Sequence, residues 1–458
     1  MSGTGHTTKS VTSTTDQTIN GVLSGVAWGD ATIYYSFPTT SGEYAYTGEP
    51  DTIGGISSMQ WTAANRALNT NGYAGENAAQ DGFSVEGFTN LNVAYTTDTG
   101  AHIRLAESDD PSTAWAYYPG TYEQAGDVWF GRSYNYRSPE AGNYSWHTMY
   151  HEIGHALGLK HGQETNVYGP LPAAEDSMEY SIMTYRSYVG DPLVGGYSNE
   201  TWGFAQSYMI ADIAALQQMY GADFTTNSSD TVYKWNPTSG DTLVNGAVGI
   251  DAGSNRIFAT VWDGGGIDTY DLSSYSDNLT LDLTPGGHSY FSNVQIAYLG
   301  DGNYSRGNIF NALQYQGDVR SLIENAIGGS GNDTITGNQA NNTLQDGGGN
   351  DTLNGGGGGG VDNIYGGGGT DQLFGGDDND NLDGGAGADH MEGGLGFDFA
   401  YYSQATAGVR ADLSNAVSGL GEAAGDTFNF VDGIIGSQFA DTLFGRSVEQ
   451  YPLRLGGR

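Results

Sequence analysis

Apolar residues recur at helical spacing over 57–68, behind a serine start, and again over 209–220, where Gly221 follows. Both stretches predict helices with one buried face. A further helix is expected to begin near Trp146. Leu91-Asn92-Val93-Ala94-Tyr95 and Ile103-Arg104-Leu105-Ala106 alternate as strands do, and 127–130 reads as the next strand. Ala114-Trp115-Ala116-Tyr117-Tyr118 is apolar until Pro119-Gly120 breaks it, as in an edge strand blunted by proline. Residues 19–221 therefore predict an α+β domain, a twisted sheet with long helices.

From 222 to 325 the pattern changes to short strands between Gly, Asp and Asn turns. The turn Trp262-Asp263-Gly264-Gly265-Gly266-Ile267-Asp268 reads as a plain hairpin loop or as a cation-binding turn. In the second reading Asp263, Gly265 and Asp268, with Glu324, are candidate calcium ligands. A strict repeat then fills 326–402. Gly328-Gly329-Ser330-Gly331-Asn332-Asp333-Thr334-Ile335-Thr336 fits G-G-x-G-x-D-x-U-x, the pattern of calcium-binding nonamers. The aspartate position returns at Asn342 and then at Asp351, Asp362, Asp371, Asp380, Asp389 and Asp398. The step from 351 to 362 is two residues too long, and the glycine run 355–360 absorbs the excess.

The repeat has a physical logic. Glycine permits tight turns whose carbonyls can face a cation. Aspartate supplies the hard oxygen that calcium prefers. The backbones of Gly329, Gly331, Gly367, Gly369, Gly385 and Gly387 and the side chains of Asp333, Asp351, Asp362, Asp371, Asp380, Asp389 and Asp398 are the candidate ligands. The apolar residue two positions on (Ile335, Leu353, Ile364, Leu373, Leu382) faces the inside of the stack. The expected architecture is all-β, a parallel β-roll or β-sandwich. A glycine-rich linker would not fix both an aspartate and an apolar position at period nine. Without calcium, like charges would stack turn on turn and the segment should be largely unfolded. Residues 403–458 return to strands, and 436–444 opens like another block. The tail 446–458 carries three arginines and no repeat.

Composition sharpens this picture. The 458 residues hold 15 Lys+Arg against 53 Asp+Glu, a net charge of -38, which argues against nucleic-acid partners and anionic membranes. Disorder is disfavoured because aromatics make up 12% and hydrophobics 37%, enough to build cores. There is no cysteine, so disulfides and thiolate metal sites are excluded. No N-terminal apolar core of a Sec signal and no membrane-spanning apolar run occur, so no membrane insertion is expected.

The chemistry concentrates in His151-Glu152-Ile153-Gly154-His155-Ala156-Leu157-Gly158-Leu159-Lys160-His161. On a helix, His151 and His155 share a face. Gly158 can reverse the chain and bring His161 to the same point. Three neutral imidazoles with an open fourth position suit one catalytic zinc ion. Glu152, one position on, can reach a water there but not the ion itself. Met183 lies downstream in Tyr180-Ser181-Ile182-Met183-Thr184-Tyr185; read alone it would be ordinary core packing.

The extended histidine motif followed by such a methionine turn resembles the metzincin metalloproteases. With the nonamer repeats, the chain resembles the serralysins among them, over about residues 20–445. That resemblance implies a metzincin catalytic domain and a secreted zinc endopeptidase acting on protein or peptide substrates. Glu152 would be the general base. Tyr185 would ligate zinc at rest and stabilise the oxyanion in turnover, and Met183 would form the Met-turn. Ala114, Trp115, Ala116 and Tyr117 would pair with substrate as an added strand. It further implies several structural calcium ions, a zymogen, export by a type I secretion apparatus, a small periplasmic protein inhibitor, and a monomer. Residues 1–18 would be the propeptide, or simply a frayed terminus. The tail 446–458 lacks the acidic-then-apolar ending that family members often use for export. A rival from another class is a calcium-dependent adhesin or surface protein with an inactive protease domain. An acidic calcium buffer fits the aromatic-rich first half poorly.

Overall fold

The computed structural model describes residues 5–68, 82–414 and 419–445; the arginine-bearing tail 446–458 lies outside the described residues. The chain divides into two compact units. The first holds 1–274 and 283–323, and the second 275–282 and 324–458. Most elements are strands, with few helices.

In the first unit the strands are β1 (Thr8–Ser10), β2 (Val26–Trp28), β3 (Thr32–Ser36), β4 (Asn92–Tyr95), β5 (Ile103–Ser108), β6 (Ala114–Ala116) and β7 (Asp127–Gly131). The helices are α1 (Gln17–Asn20), α2 (Ser58–Leu68), α3 (Val85–Phe88), α4 (Tyr144–Leu157) and α5 (Ile210–Tyr220). Five strands form one sheet in the order β4-β3-β5-β7-β6. Its pairs are parallel except at the edge, where β6 runs antiparallel to β7 with Trp115 opposite Trp129. The central strands β5 and β7 are buried throughout, whereas Trp115 on the edge is exposed.

Local chemistry sets the helix ends. Ser57 Oγ accepts from the Gln60 N–H at 3.1 Å and Gln60 Oε1 accepts from the Ser57 N–H at 2.7 Å, a reciprocal cap that starts α2. Asn143 accepts from the Trp146 N–H at 2.8 Å, so α4 begins two residues before the expected Trp146. Gly158 closes α4 at φ +113°.

One expectation is corrected. Residues 5–18 are not frayed. Thr8–Ser10 pairs with Val26–Trp28, and Asp16 caps α1 by accepting from the Thr18 N–H. The first compact unit runs on past 221, to 274 and over 283–323. Gln206 N–H donates to the Phe258 carbonyl and Thr260 N–H to Ser207 Oγ, each at or below 2.9 Å, and these bonds tie Phe258 and Thr260 to the segment that leads into α5.

The second unit is a stack of two parallel ladders. One carries Thr280–Asp282, Thr334–Thr336, Thr352–Asn354, Gln372–Asp377, His390–Leu395 and Thr427–Asn429. The other carries Asn325–Ile327, Thr343–Gln345, Asn363–Tyr365, Asn381–Asp383, Phe399–Tyr401 and Gly433–Ile435. Each full turn uses two nonamers, so Asn325 faces Thr343 and Thr334 faces Thr352. Across the glycine run the partners are Thr343 with Asn363 and Thr352 with Gln372, and the register survives the two extra residues. Ile335, Leu353, Leu373 and Met391 stack as one fully buried row, and Leu344, Ile364 and Leu382 as the other. Burial of each such side chain is worth about 1.5–3 kcal/mol.

Adjacent glycines in this stack meet different surroundings. A Cβ on Gly369 would lie 1.4 Å from the Gly349 carbonyl oxygen, whereas one on Gly368 would meet nothing within 4 Å. Gly369→Ala should therefore destabilise the second unit by at least ~3 kcal/mol. Gly368→Ala should stay within about 0.5 kcal/mol of wild type. Urea unfolding of the two variants at fixed ionic conditions checks this; equal losses would mean the turns are not stacked as described.

Candidate metal centre

Helix α4 presents His151 and His155 on one face, and the reversal at Gly158 returns His161 to them. A Cβ on Gly158 would lie 2.4 Å from the Val26 carbonyl oxygen, so only glycine fits there. One ligand nitrogen from each of the three histidines falls within 4.8 Å of the other two. His151 Nδ1 lies 2.8 Å from the Ile182 carbonyl, His155 Nδ1 2.7 Å from the Leu159 carbonyl, and His161 Nδ1 2.8 Å from Glu164 Oε1. Carbonyls and carboxylates only accept, so each Nδ1 carries the hydrogen and each Nε2 keeps its lone pair. Nε2 of His155 and Nε2 of His161 face each other at 3.0 Å. Two lone pairs at that distance repel unless a cation lies between them. Two imidazoles on one tetrahedral zinc sit ~3.3 Å apart, so the donor set fits that ion. Burial, with the neighbouring imidazoles, holds His151 and His155 well below the ordinary histidine range, which keeps them neutral, as metal ligands must be.

Glu152 is buried, and its Oε2 has no hydrogen-bond partner. Burial pushes its carboxyl up to about 8, a shift that a dication on the adjacent histidines would oppose. Glu152 lines a cleft of about 850 Å³ with His151, Tyr185, Tyr197 and Phe204. It also lines a smaller groove with Ala114, Trp115, Ala116, His155, His161 and Tyr185. The Tyr185 ring stands 4.4 Å from that of His161, and burial and the Glu152 charge push its hydroxyl up to about 12.

Met183 is fully buried against α4. A Cβ on Gly154 would touch its sulfur at 2.8 Å. Asp212 of α5 holds this turn, accepting from Ser181 Oγ at 2.5 Å, the Ile182 N–H at 2.8 Å and the Met209 N–H at 3.0 Å. The carbonyl that orients His151 is that of Ile182, so Asp212 fixes a ligand from a distance.

Of the strand residues expected to meet substrate, Ala114, Trp115 and Ala116 border the groove. Tyr117 does not; its hydroxyl turns away to Glu49. Tyr118 takes the place, 5.6 Å edge-on to the His155 ring. Nothing periodic in the sequence marks Glu164 or Asp212 as site residues. The spacing of Glu164, three residues after His161, was the one available signal.

Of the calcium candidates, Asp263 accepts from Tyr233 Oη and from the Gly265 N–H, both at 2.8 Å, and Asp268 accepts from the Thr231 N–H at 2.8 Å. Burial and the Asp263 charge push the Asp268 carboxyl up. Glu324 belongs to the other compact unit. Along the stack, Oδ1 of Asp351, Asp371 and Asp389 accepts from the N–H of Asp333, Asp351 and Asp371 at 2.8–3.0 Å. Asp362, Asp380 and Asp398 do the same on the other ladder, beginning at the Asn342 N–H. Oδ2 of Asp351, Asp371, Asp380, Asp389 and Asp398 is buried without a partner, as oxygens aimed at a cation would be. Gly329 N–H donates to Asp333 at 2.7 Å, and the Gly367 carbonyl already accepts from the Ala386 N–H at 2.8 Å. Asp346, standing where the nonamer has its first glycine, is a buried carboxylate that the repeat pattern did not single out. Burial and the charges of Asp333 and Asp351 push it up to about 8.

A second group brings His6, Asp30 and His102 together. There the Tyr34 N–H donates to His102 Nδ1 at 3.1 Å, so Nε2 keeps the proton and donates to Asp30 at 3.0 Å. That is a hydrogen-bonded clamp on the N-terminal segment, with no lone pair of His102 left for a metal.

Residues 222–432 match the family described as Peptidase M10 serralysin C terminal. The chain is similar to Serralysin C of Dickeya chrysanthemi, 40% identical over 229 residues, covering 48% of this chain and 42% of that protein. It is similar to a serralysin of Proteus mirabilis, 32% identical over 341 residues, covering 70% and 62%. Metalloprotease AprA of Pseudomonas entomophila is 31% identical over 349 residues, covering 71% and 64%. The matches thus span between 42% and 64% of these three relatives. The chain is serralysin-like.

The stacked carboxylates give a pH dependence with a definite sign. Burial above all pushes Asp371, Asp380 and Asp389 up to about 7 and Asp362 to about 6, from an ordinary 3.8. A raised carboxyl in the folded state stabilises below its unfolded value and loses that contribution as pH rises through the folded one. In calcium-free protein the second unit should therefore have a higher urea midpoint at pH 5 than at pH 8. A midpoint that rises over this interval would contradict the burial of these groups.

Proposed function

We propose that the chain is a zinc-dependent endopeptidase of the metzincin type, secreted, with a calcium-stabilised second unit. The observation that carries the reading is the convergence of three Nε2 lone pairs beside buried Glu152, whose Oε2 has no partner, near β6, the edge strand of its sheet among the described residues. The similarity to proteins named serralysin and metalloprotease supports it. Export by a type I apparatus, a propeptide and a small periplasmic inhibitor belong to the proposal through the resemblance.

An extended peptide lies along β6, whose edge backbone offers its N–H and C=O groups as an added strand. His151, His155 and His161 would hold a zinc ion, which would supply Lewis acidity, lowering the pKa of a water from ~16 to roughly 7 and polarising the scissile carbonyl. Glu152 takes the proton of the attacking water and delivers it to the leaving amine nitrogen as the C–N bond breaks. Tyr185, whose hydroxyl stays protonated at neutral pH, donates a hydrogen bond to the oxyanion as it develops. Ile182, Leu159 and Glu164 hold the imidazole rings in place through their Nδ1 hydrogens. In the second unit, calcium would sit among the partnerless Oδ2 atoms and turn carbonyls and relieve the repulsion between turns.

Glu152→Gln should keep one zinc per chain and lower casein hydrolysis by about 10²–10⁴-fold. Tyr185→Phe should keep zinc and lose about 10²–10³-fold in kcat. Full activity in Glu152→Gln would end the assignment of the base. A wild-type protein that binds zinc and folds with calcium yet cleaves nothing would favour the calcium-dependent surface protein instead.

A further inference from the structure

The third histidine is held by a part of the chain that the motif does not contain. Lys160 precedes His161 and is only 1% exposed. Its ammonium has three protons and meets four backbone carbonyls, those of Gly21 at 2.6 Å, Gly169 at 2.9 Å, Glu164 at 3.1 Å and, more weakly, His161 at 3.5 Å. No carboxylate lies within ion-pair distance of it among the described residues. A buried ammonium is tolerated only where every proton is satisfied. Lys160 therefore draws the N-terminal segment and the loop 161–169 to one point.

That segment grips the same loop repeatedly. The Lys160 N–H donates to the Val22 carbonyl at 2.8 Å, and the Ser24 N–H to the Gly158 carbonyl at 3.1 Å. Leu23 bridges Leu159, whose carbonyl orients His155. Further along the loop, Gln17 Nε2 donates to the carbonyls of Tyr168 and Pro170 at 3.1 and 2.7 Å. Tyr168 Oη donates to the Val11 carbonyl at 2.5 Å, and Thr18 Oγ1 to Glu175 at 2.5 Å. Gly21 lies so close to Leu171 that a Cβ would sit 2.7 Å from its backbone. Leu171 N–H in turn donates to the Gly162 carbonyl at 2.8 Å, next to His161. The loop from 158 to 175 carries the third ligand and its partner Glu164, yet it has no helix or strand of its own.

We propose that in the full, uncleaved chain residues 11–24 form a brace for the metal centre, with Lys160 as the positioning residue that couples them to His161. The inference rests on the reading of the three histidines as a zinc site. Without the brace, His161 would keep Glu164, and its loop would keep the Gly162 N–H bond to the Met183 carbonyl at 3.2 Å, but the ties to residues 11–24 would be lost and the third imidazole held less firmly.

The test is zinc affinity by competition with a chromogenic chelator, together with the visible spectrum of the cobalt(II)-substituted full chain. Lys160→Met should weaken zinc by about 10–100-fold and shift the cobalt bands toward those of His161→Ala. Gln17→Ala, at an exposed position, should move both readouts the same way by less, and it keeps the proposal testable should Lys160→Met fail to fold. Folded variants of both kinds with wild-type zinc affinity and an unchanged cobalt spectrum would overturn the brace. If His161→Ala itself bound zinc like wild type, the zinc reading would fall and the brace with it.

Discussion

Three imidazoles can share one ion only if the chain reverses between the second and the third. Everything in the first unit that matters to chemistry follows from that reversal. It occurs at Gly158, where the backbone is left-handed and the Val26 carbonyl leaves no space for a side chain. Once the chain has turned, Leu159 offers its carbonyl to His155 and His161 arrives opposite the same ring. The repulsion between facing lone pairs is then a fixed cost of the metal-free fold. Neighbouring groups, from Asp212 behind the methionine turn to Lys160 behind the loop, keep the rings from relaxing away from it.

The second unit meets the same kind of problem with different groups. Its parallel turns bury rows of Ile and Leu and, beside them, rows of aspartate. The glycines are there because the carbonyl of one turn occupies the space a Cβ would need in the next, as at Gly369. In both units the metal-free fold therefore holds groups of like polarity closer than water would allow. Cations supply the missing attraction in the proposed reading. Part of the acidic composition, a net charge of -38, is the trace of that arrangement along the chain.

Local periodicity made much of this legible. Helices over 58–68, 144–157 and 210–220, the edge strand at 114–116 and the nonamer register could be read because each repeats a spacing set by backbone geometry. The three histidines were readable because their spacing is helical up to Gly158. What escaped reading depends on contacts between distant parts of the chain. Val11, Gln17 and Gly21 look like a polar terminus, and only their bonds to 160–170 give them a role. Asp212 is one acid among 53 acidic residues until it is seen under the methionine turn. Tyr117 and Tyr118 are indistinguishable in sequence, and the strand's end alone decides which faces the groove. Asp346 sat at a glycine position, where a pattern tuned to the aspartate position does not look.

The most direct test of the central claim is zinc K-edge X-ray absorption on the purified full chain, loaded with one equivalent of zinc. The account predicts a first shell of three imidazole nitrogens at ~2.0–2.1 Å with oxygen completing it. A shell dominated by carboxylate oxygens, or one unchanged in a His151→Ala and His155→Ala double variant, would place the ion elsewhere and contradict the account.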